Sequence, residues 1–329
     1  MVEKLSVVTG ANGYIGYALV SALSKRGGRA RLVTRKNRPE LAPFGFEQCV
    51  GDLSDEDFLD RVFAGAETVY HVAGMVDITQ TKDDLVWAVN YGCTEKVVRA
   101  CSRQGVKNLV YVSSVDCIPA PEGDGIIRET NDFDPDLVPD AYGKSKAAAS
   151  RLVLDSDSEE LKCIVVQPSC CIGPYDIYGT NSVCTMIKLY MKGLFPVSLD
   201  FGGYNFVDVR DVAEGMIAAA ESGRGGEAYF LSGERISVDE FISDLARISS
   251  KEPPKLKLGK KLLLTLCPAI EVFFRAAKIP PVLTPFSINK ICENCSFSYE
   301  KAAKDFGYSP RSAYDSLKDT VEWLSFCSD

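Results

Sequence analysis

The feature that most restricts the fold lies almost at the N-terminus, in Leu5-Ser-Val-Val-Thr-Gly-Ala-Asn-Gly-Tyr-Ile-Gly16. An apolar run at Leu5, Val7 and Val8 reads as a buried parallel strand, and from Tyr14 to Leu23 the pattern becomes helical. Glycines recur between them at 10, 13 and 16. Gly10 makes a tight turn, Gly13 lets backbone N–H groups approach a pyrophosphate, and Gly16 lets helix and strand pack closely. Unpaired N–H groups and the macrodipole then favour an anion at the helix N-terminus. A glycine triad alone reads equally well as a βα turn; the flanking strand and helix give it the context of a nucleotide site. The contacts expected there are Gly10, Asn12, Gly13, Tyr14, Ile15 and Gly16.

Downstream, apolar runs at about 5–9, 30–34, 46–50, 67–72, 108–113 and 162–167 alternate with helical patterns at about 14–26, 55–64, 82–104 and 141–154. Such alternation predicts the α/β class: a doubly wound parallel sheet (Rossmann) with right-handed crossovers, ligands binding at the carboxyl ends of its strands. After Pro168 the regularity breaks, with a helix expected near 181–192. Asp208 reads as the N-cap where a short strand enters a helix, and Ser237-Val-Asp-Glu240 as a capping box. Helices near 298–306 and 312–326 close the chain. The expected division is a dinucleotide-binding domain over 1–168, with 204–232 returning to it, and a smaller C-terminal substrate lobe from 169–203 and 233–329.

Composition narrows the partners. Net charge is −8 without a Lys/Arg cluster, which argues against nucleic acid. The first strand begins by residue 5, leaving no signal peptide, and no 18-residue uncharged apolar run suggests a spanning helix. Most of the twelve cysteines sit singly in apolar runs. Only Cys292-Glu-Asn-Cys295 has metal-like spacing, and no second pair completes four ligands, so no metal is expected. Free thiols in a reducing cytoplasm are the expected state.

The end of the second strand usually meets the adenosine ribose, where a carboxylate selects NAD and an arginine accommodates the 2′-phosphate of NADP. Here Thr34, Arg35, Lys36 and Arg38 stand there and no carboxylate does. NADP(H) is therefore expected over NAD(H), with Arg35 as chief contact and Lys36 beside it; a solvated basic turn is the plain alternative. Asp52 and Leu53 follow the third strand, where a carboxylate can accept from an adenine amino group. His71-Val-Ala-Gly74 ends the fourth, with Ala73 and Gly74 small enough for a cofactor to cross. His71, the only histidine, reads as hydrogen-bonded structure rather than a catalyst.

Chemistry is expected from Tyr142 and Lys146, four apart on one helix face. A phenol is a poor base at neutral pH; a neighbouring ammonium and a nicotinamide cation would both lower its pKa. Lys146 could also hold ribose hydroxyls. Upstream, Leu109-Val-Tyr-Val-Ser-Ser114 ends the fifth strand with two hydroxyls. Ser114, with Ser113 as alternative, could donate to the substrate oxygen as its charge develops.

These motifs, together with Asn90-Tyr-Gly-Cys-Thr94, Gln167-Pro168 running to Gly173-Pro174, and Phe206-Val-Asp-Val-Arg-Asp-Val-Ala213, resemble the extended short-chain dehydrogenase/reductases over nearly the whole length. The chain looks most similar to the 3β-hydroxysteroid dehydrogenase and dihydroflavonol 4-reductase branch, which Pro280-Pro-Val-Leu-Thr-Pro-Phe286, Phe297-Ser-Tyr-Glu-Lys-Ala302 and Phe306-Gly-Tyr-Ser-Pro310 support. The resemblance implies a Ser–Tyr–Lys set at Ser114, Tyr142 and Lys146. It adds Asn90, Tyr142, Lys146, Pro168, Ser169 and Cys171 to the cofactor contacts, and a homodimer is seen in many such relatives. Many relatives carry Arg where Gln167 stands, and NAD-using steroid relatives carry Asp near Thr34.

Apolar segments expected over the nicotinamide are Met75–Ile78, Cys117–Pro119, Cys170–Ile172, Tyr178, Met186 and Tyr190, which read singly as core and together as a site for a hydrophobic alcohol or ketone. The rival is a sugar-nucleotide epimerase or dehydratase on the same scaffold. Dehydratases resembling this chain carry Asp-Glu after the catalytic hydroxyl, where Val115-Asp116 stands here. A non-catalytic nucleotide sensor would have no need of Ser114, Tyr142 and Lys146. The apolar stretch 260–279 reads either as a cap over the pocket or as a peripheral membrane contact.

Overall fold

The computed structural model describes residues 4–77, 81–119, 121, 123–195, 197–276 and 284–327. Its strands in chain order are β1 (Leu5–Thr9), β2 (Arg29–Thr34), β3 (Glu47–Val50), β4 (Thr68–His71), β5 (Asn108–Val112) and β6 (Lys162–Pro168). These are followed by β7 (Cys170–Ile172), β8 (Val197–Leu199), β9 (Gly203–Asp208), β10 (Glu227–Leu231), β11 (Glu234–Ser237) and β12 (Leu256–Leu258). The helices begin with α1 (Tyr14–Lys25), α2 (Glu56–Phe63), α3 (Asp83–Trp87), α4 (Cys93–Gln104), α5 (Ala141–Asp155) and α6 (Ser182–Met191). They continue with α7 (Val209–Ser222), α8 (Val238–Ile248), α9 (Lys260–Ala276), α10 (Pro285–Lys290), α11 (Glu300–Phe306) and α12 (Ala313–Phe326).

Seven strands form one parallel sheet in the order β10-β6-β5-β4-β1-β2-β3. The apolar runs alternate because successive side chains leave opposite faces. Leu109, Tyr111, Cys163 and Val165 enter the cluster under α2, α4 and α5, whereas Val110, Val112, Ile164 and Val166 enter the one under α1 and α7. Chain order reverses between β1 and β4, which opens a crevice at their carboxyl ends. Thr9 lies opposite Val33 on one side and His71 on the other, so the expected site segments end side by side.

The helix expected over 82–104 is interrupted. A π-helical turn at Ala88–Gly92 separates α3 from α4 and turns Asn90 fully inward. Such widened turns accommodate one extra residue and often mark functional positions. The caps follow expectation: Asp208 accepts from the Arg210 N–H at the start of α7, and Ser237 with Glu240 closes a capping box on α8.

The smaller lobe has a three-stranded sheet β11-β9-β7 and a pair β12-β8. β9 and β11 are antiparallel partners in this lobe, yet β10 between them in sequence is an edge strand of the large sheet. Helix α9 lays Leu263 and Cys267 against Leu199, Ile288 and Ile291, while Leu262, Leu266 and Val272 remain exposed. Among the described residues no helix is long and apolar enough to cross a membrane. Residues 277–283, which include the end of the apolar stretch and Pro280-Pro281, and Ile78 lie outside the described residues.

Candidate active site

The glycine turn sits at the crevice, and the geometry explains its composition. Gly10 has φ +67°, and a Cβ there would lie 2.7 Å from the Ala73 backbone. A Cβ on Gly16 would lie 2.1 Å from the Gly10 carbonyl oxygen. Helix α1 begins after Gly13 with no side-chain cap and no acidic residue in its first turn, leaving its N–H groups available to an anion. Asn12 and Ile15 are half-buried beside it. Tyr14 turns elsewhere: its hydroxyl donates to the Gly173 carbonyl at 2.8 Å, tying the turn to the loop after β7.

At the end of β2 the Arg35 and Lys36 side chains are exposed, and Thr34 Oγ1 donates to the Lys36 carbonyl at 2.8 Å. Arg38 reaches across to the smaller lobe, its guanidinium 4.9 Å from the Tyr178 ring. Tyr178 is thus placed over Arg38 and not in the apolar cavity described below. Asp52 accepts from the Ser54 N–H at 2.7 Å, which with nearby Arg35 holds its carboxyl below the usual range, and Leu53 is half-buried against the core.

Beneath the crevice runs a directed chain of hydrogen bonds. Thr94 Oγ1 spends its proton on the Asn90 carbonyl at 2.6 Å, so it accepts from His71 Nε2 at 2.9 Å. His71 Nδ1 then accepts from Thr9 Oγ1 at 2.7 Å, and Thr9 Oγ1 accepts from the Ala73 N–H at 3.3 Å. Burial, with Lys146 near, pushes His71 down to about 3, which keeps this neutral tautomer. The Asn90 amide joins the Met75 backbone at 2.8 and 2.9 Å and donates to Ser145 Oγ at 3.0 Å, and Ser145 donates to the Tyr142 carbonyl at 2.8 Å. The single histidine thus links the glycine turn to the helix that carries Tyr142.

Helix α5 starts at Asp140, whose side chain accepts from the Gly143 N–H at 2.9 Å. A Cβ on Gly143 would lie 2.5 Å from the Asp116 carbonyl, so α5 presses directly on the loop after β5. Lys146 is buried; its Nζ donates to the Val112 carbonyl at 2.7 Å and lies 4.8 Å from the Tyr111 ring centre. Gly74 leaves room for it, because a Cβ there would be 3.0 Å from Nζ. Ser150 donates to the Lys146 carbonyl at 2.7 Å, so Ser113 donates to Ser150 at 2.7 Å and faces away from the crevice. Ser114 faces the cavity with Tyr142.

In the protein alone, burial and then the Asp116 charge push the Tyr142 phenol above its ordinary pKa. Desolvation instead lowers Lys146 itself to about 8.

Ser114 and Tyr142 open into a cavity of about 340 Å³. Val76, Ile118, Pro119, Cys170 and Met186 line it as expected, together with Pro168 and Ser169. Cys117 and Ile172 are buried in the core instead, and Tyr190 packs with the smaller lobe, its hydroxyl donating to the Glu252 carbonyl. Cys171 donates weakly to the Ser169 carbonyl at 3.6 Å and does not line the cavity. Buried Ser169 Oγ and Gln167 Oε1 have no hydrogen-bond partner among the described residues. The cavity is also walled by Phe195, Leu199, Phe206 and Phe241 and by the charged group Asp116, Lys290 and Glu293, none of which its sequence context assigns to a pocket. Among the described residues, no cluster of three His, Cys, Asp or Glu side chains could hold a metal.

Residues 6–232 match the NAD dependent epimerase/dehydratase family. The chain belongs to that family. Its relatives include short-chain dehydrogenase/reductase family 42E member 1 of Mus musculus, 30% identical over 98% of this chain and 87% of that protein. A 3-beta-hydroxysteroid dehydrogenase of Mycolicibacterium neoaurum is 26% identical over 92% of this chain and 86% of that protein. The crystal structure of gox2253 superposes with a TM-score of 0.83 at 31% identity, covering 99% of each chain. As an extended short-chain dehydrogenase/reductase, the chain is an enzyme of nicotinamide-dependent chemistry at CH–OH groups.

Proposed function

We propose that this protein is an NADP(H)-dependent oxidoreductase for a hydrophobic secondary alcohol or ketone, a ring compound such as a hydroxysteroid or flavonoid-like ketone. The observation that carries the reading is that Ser114 and Tyr142 open together into an apolar cavity of about 340 Å³, the size class of small-molecule sites. The uncapped α1 N-terminus fits a pyrophosphate, and the unpartnered Ser169 hydroxyl beside the cavity fits a carboxamide. Arg35 and Lys36, with no carboxylate at the end of β2, support a 2′-phosphate. The name of the M. neoaurum relative supports a steroid among the candidate rings.

The bound nicotinamide supplies or accepts hydride. Tyr142 gives its proton to the substrate oxygen during reduction and takes it back during oxidation. Ser114 donates a hydrogen bond to that oxygen as charge collects on it. Lys146 fixes the ribose and, with the cofactor's positive ring, favours the phenolate that burial otherwise opposes. The apolar walls exclude water, which strengthens both interactions.

A sugar-nucleotide epimerase would need cations for a diphosphate. Lys290, the only cation among the described cavity residues, is already paired with two carboxylates. That favours the hydrophobic ketone. The test is nicotinamide absorbance with hydroxysteroids, flavonoid ketones and small aldehydes, using NADPH and NADH in turn. Tyr142→Phe should lose turnover by orders of magnitude while retaining cofactor affinity. An active phenylalanine variant would remove Tyr142 as the proton donor.

A further inference from the structure

Ser114 and Tyr142 belong to the half that carries the glycine turn, yet one charge beside them comes from the far end of the chain. Lys290, the last residue of α10, places Nζ 3.0 Å from Asp116 Oδ1 and 2.9 Å from Glu293 Oε2, with its side chain only 15% exposed. Helix α10 is fixed by a Thr284–Ser287 capping box and by Ile288, which is buried in the cavity wall. Asp116 in turn holds Ser114 twice. Its Oδ2 accepts from Ser114 Oγ at 3.3 Å, and its N–H donates to Ser114 Oγ at 3.1 Å. One carboxylate therefore serves Lys290 with one oxygen and the catalytic hydroxyl with the other.

We propose that Lys290 is a positioning residue for the Ser114–Tyr142 pair: it orients Asp116 and offsets part of its charge, so that this carboxylate holds Ser114 in place and opposes departure of the Tyr142 proton less than it would alone. The inference rests on the reading of Tyr142 as the acid–base group. An unpaired carboxylate beside a phenol disfavours phenolate, and a cation on that carboxylate offsets part of the effect. The groups that act on Tyr142 are Asp116, Ser114 and Cys117 from the loop after β5 and Asp140, the N-cap of its own helix, while buried Tyr111 of β5 is coupled to it. Lys290 and Glu293 act through Asp116 from the opposite wall. Asp116 is the strongest charged influence raising the phenol, so its neutralisation has the largest effect.

The proposal is tested on the whole protein with Lys290→Met, Lys290→Arg and the double variant Lys290→Met/Asp116→Asn. The first readout needs no substrate: phenolate absorbance against pH in the NADP⁺-saturated protein, where the positive ring favours phenolate, taken as the difference between each protein and its Tyr142→Phe counterpart. Lys290→Met should move the Tyr142 titration upward by about one unit, tenfold in phenolate at a given pH. Lys290→Arg and the double variant should return it towards the parent. In NADP⁺-dependent oxidation of a 3β-hydroxysteroid, the rising limb of kcat should move to higher pH by the same amount, with KM for NADP⁺ unchanged. Loss of activity with an unmoved titration, or no recovery in the double variant, would overturn the proposal. A parent inactive on every carbonyl and alcohol would overturn the functional reading instead, and the absorbance titration would still decide the role of Lys290. If Lys290→Met does not fold, Lys290→Gln takes its place under the same criteria.

Discussion

Replacing Lys146 by Met removes a buried charge while keeping an unbranched apolar stem. In the folded protein the ammonium is 4% exposed, and burial lowers its pKa from 10.5 to about 8. The folded state therefore holds this proton less well than the unfolded chain does. Between those two values the unfolded state binds more protons, so stability rises as pH climbs through the window. Below it the penalty is fully present. A shift of about 2.5 units corresponds to about 3 kcal/mol. Met relieves that penalty but strands the Val112 carbonyl, which now accepts from Nζ at 2.7 Å. An unmade buried hydrogen bond costs about 1–2 kcal/mol. Lys146→Met should therefore be more stable than the parent by about 1–2 kcal/mol near neutral pH, and no more stable near pH 10, while losing activity. Urea unfolding of the cofactor-free proteins, followed by fluorescence of Trp87 and Trp323, measures this. From about pH 7 to about pH 9.5 the parent should gain about 2 kcal/mol that the variant does not. Parallel pH responses in the two proteins would refute the reasoning.

Gly16→Ala should weaken NADPH binding by about a hundredfold, because the new methyl group meets backbone 2.1 Å away that cannot turn aside; unchanged affinity in a fluorescence titration would move the pyrophosphate off this turn. Thr94→Val leaves the His71 Nε2 proton without an acceptor and should cost about 1–3 kcal/mol in urea unfolding, with Thr94→Ser restoring it. Equal stability of the valine variant would dissolve the His71 chain. Arg35→Asp should shift preference from NADPH towards NADH by at least about tenfold in kcat/KM, since it puts a carboxylate where the 2′-phosphate is expected; an unmoved ratio would reassign the phosphate contact to Lys36 or Arg38.

The large sheet was readable because its inner strands are buried on both faces and separated by helices with their own periodicity. The candidate catalytic side chains were equally easy to single out, since Tyr142 and Lys146 share one helix and Ser114 closely follows one strand. What escaped was set by contacts distant in sequence. The π turn at Asn90 exists because its amide bonds Met75 and Ser145, and no local pattern announces that. Strands β7, β8 and β12 have three residues each, too few for alternation to register. Lys290 carries only an i, i+3 carboxylate as a sequence cue, which reads as an exposed helical pair. Phe195, Leu199, Phe206 and Phe241 are ordinary core residues by composition, and folding alone makes them cavity walls or backing. Helix spacing predicts that Tyr142 and Lys146 are near each other but not how much water both groups lose, and that loss raises the phenol and lowers the ammonium in the protein alone.

The threading of β10 between β9 and β11 bears on how such enzymes can be recombined. A chimaera that borrows another protein's pocket cannot be spliced at one junction, since the polypeptide leaves the large sheet, visits the lobe, returns to supply Glu227–Leu231 and departs again. At least two crossovers, one on each side of that returning edge, are needed to transplant the pocket without tearing the sheet that seats the nucleotide.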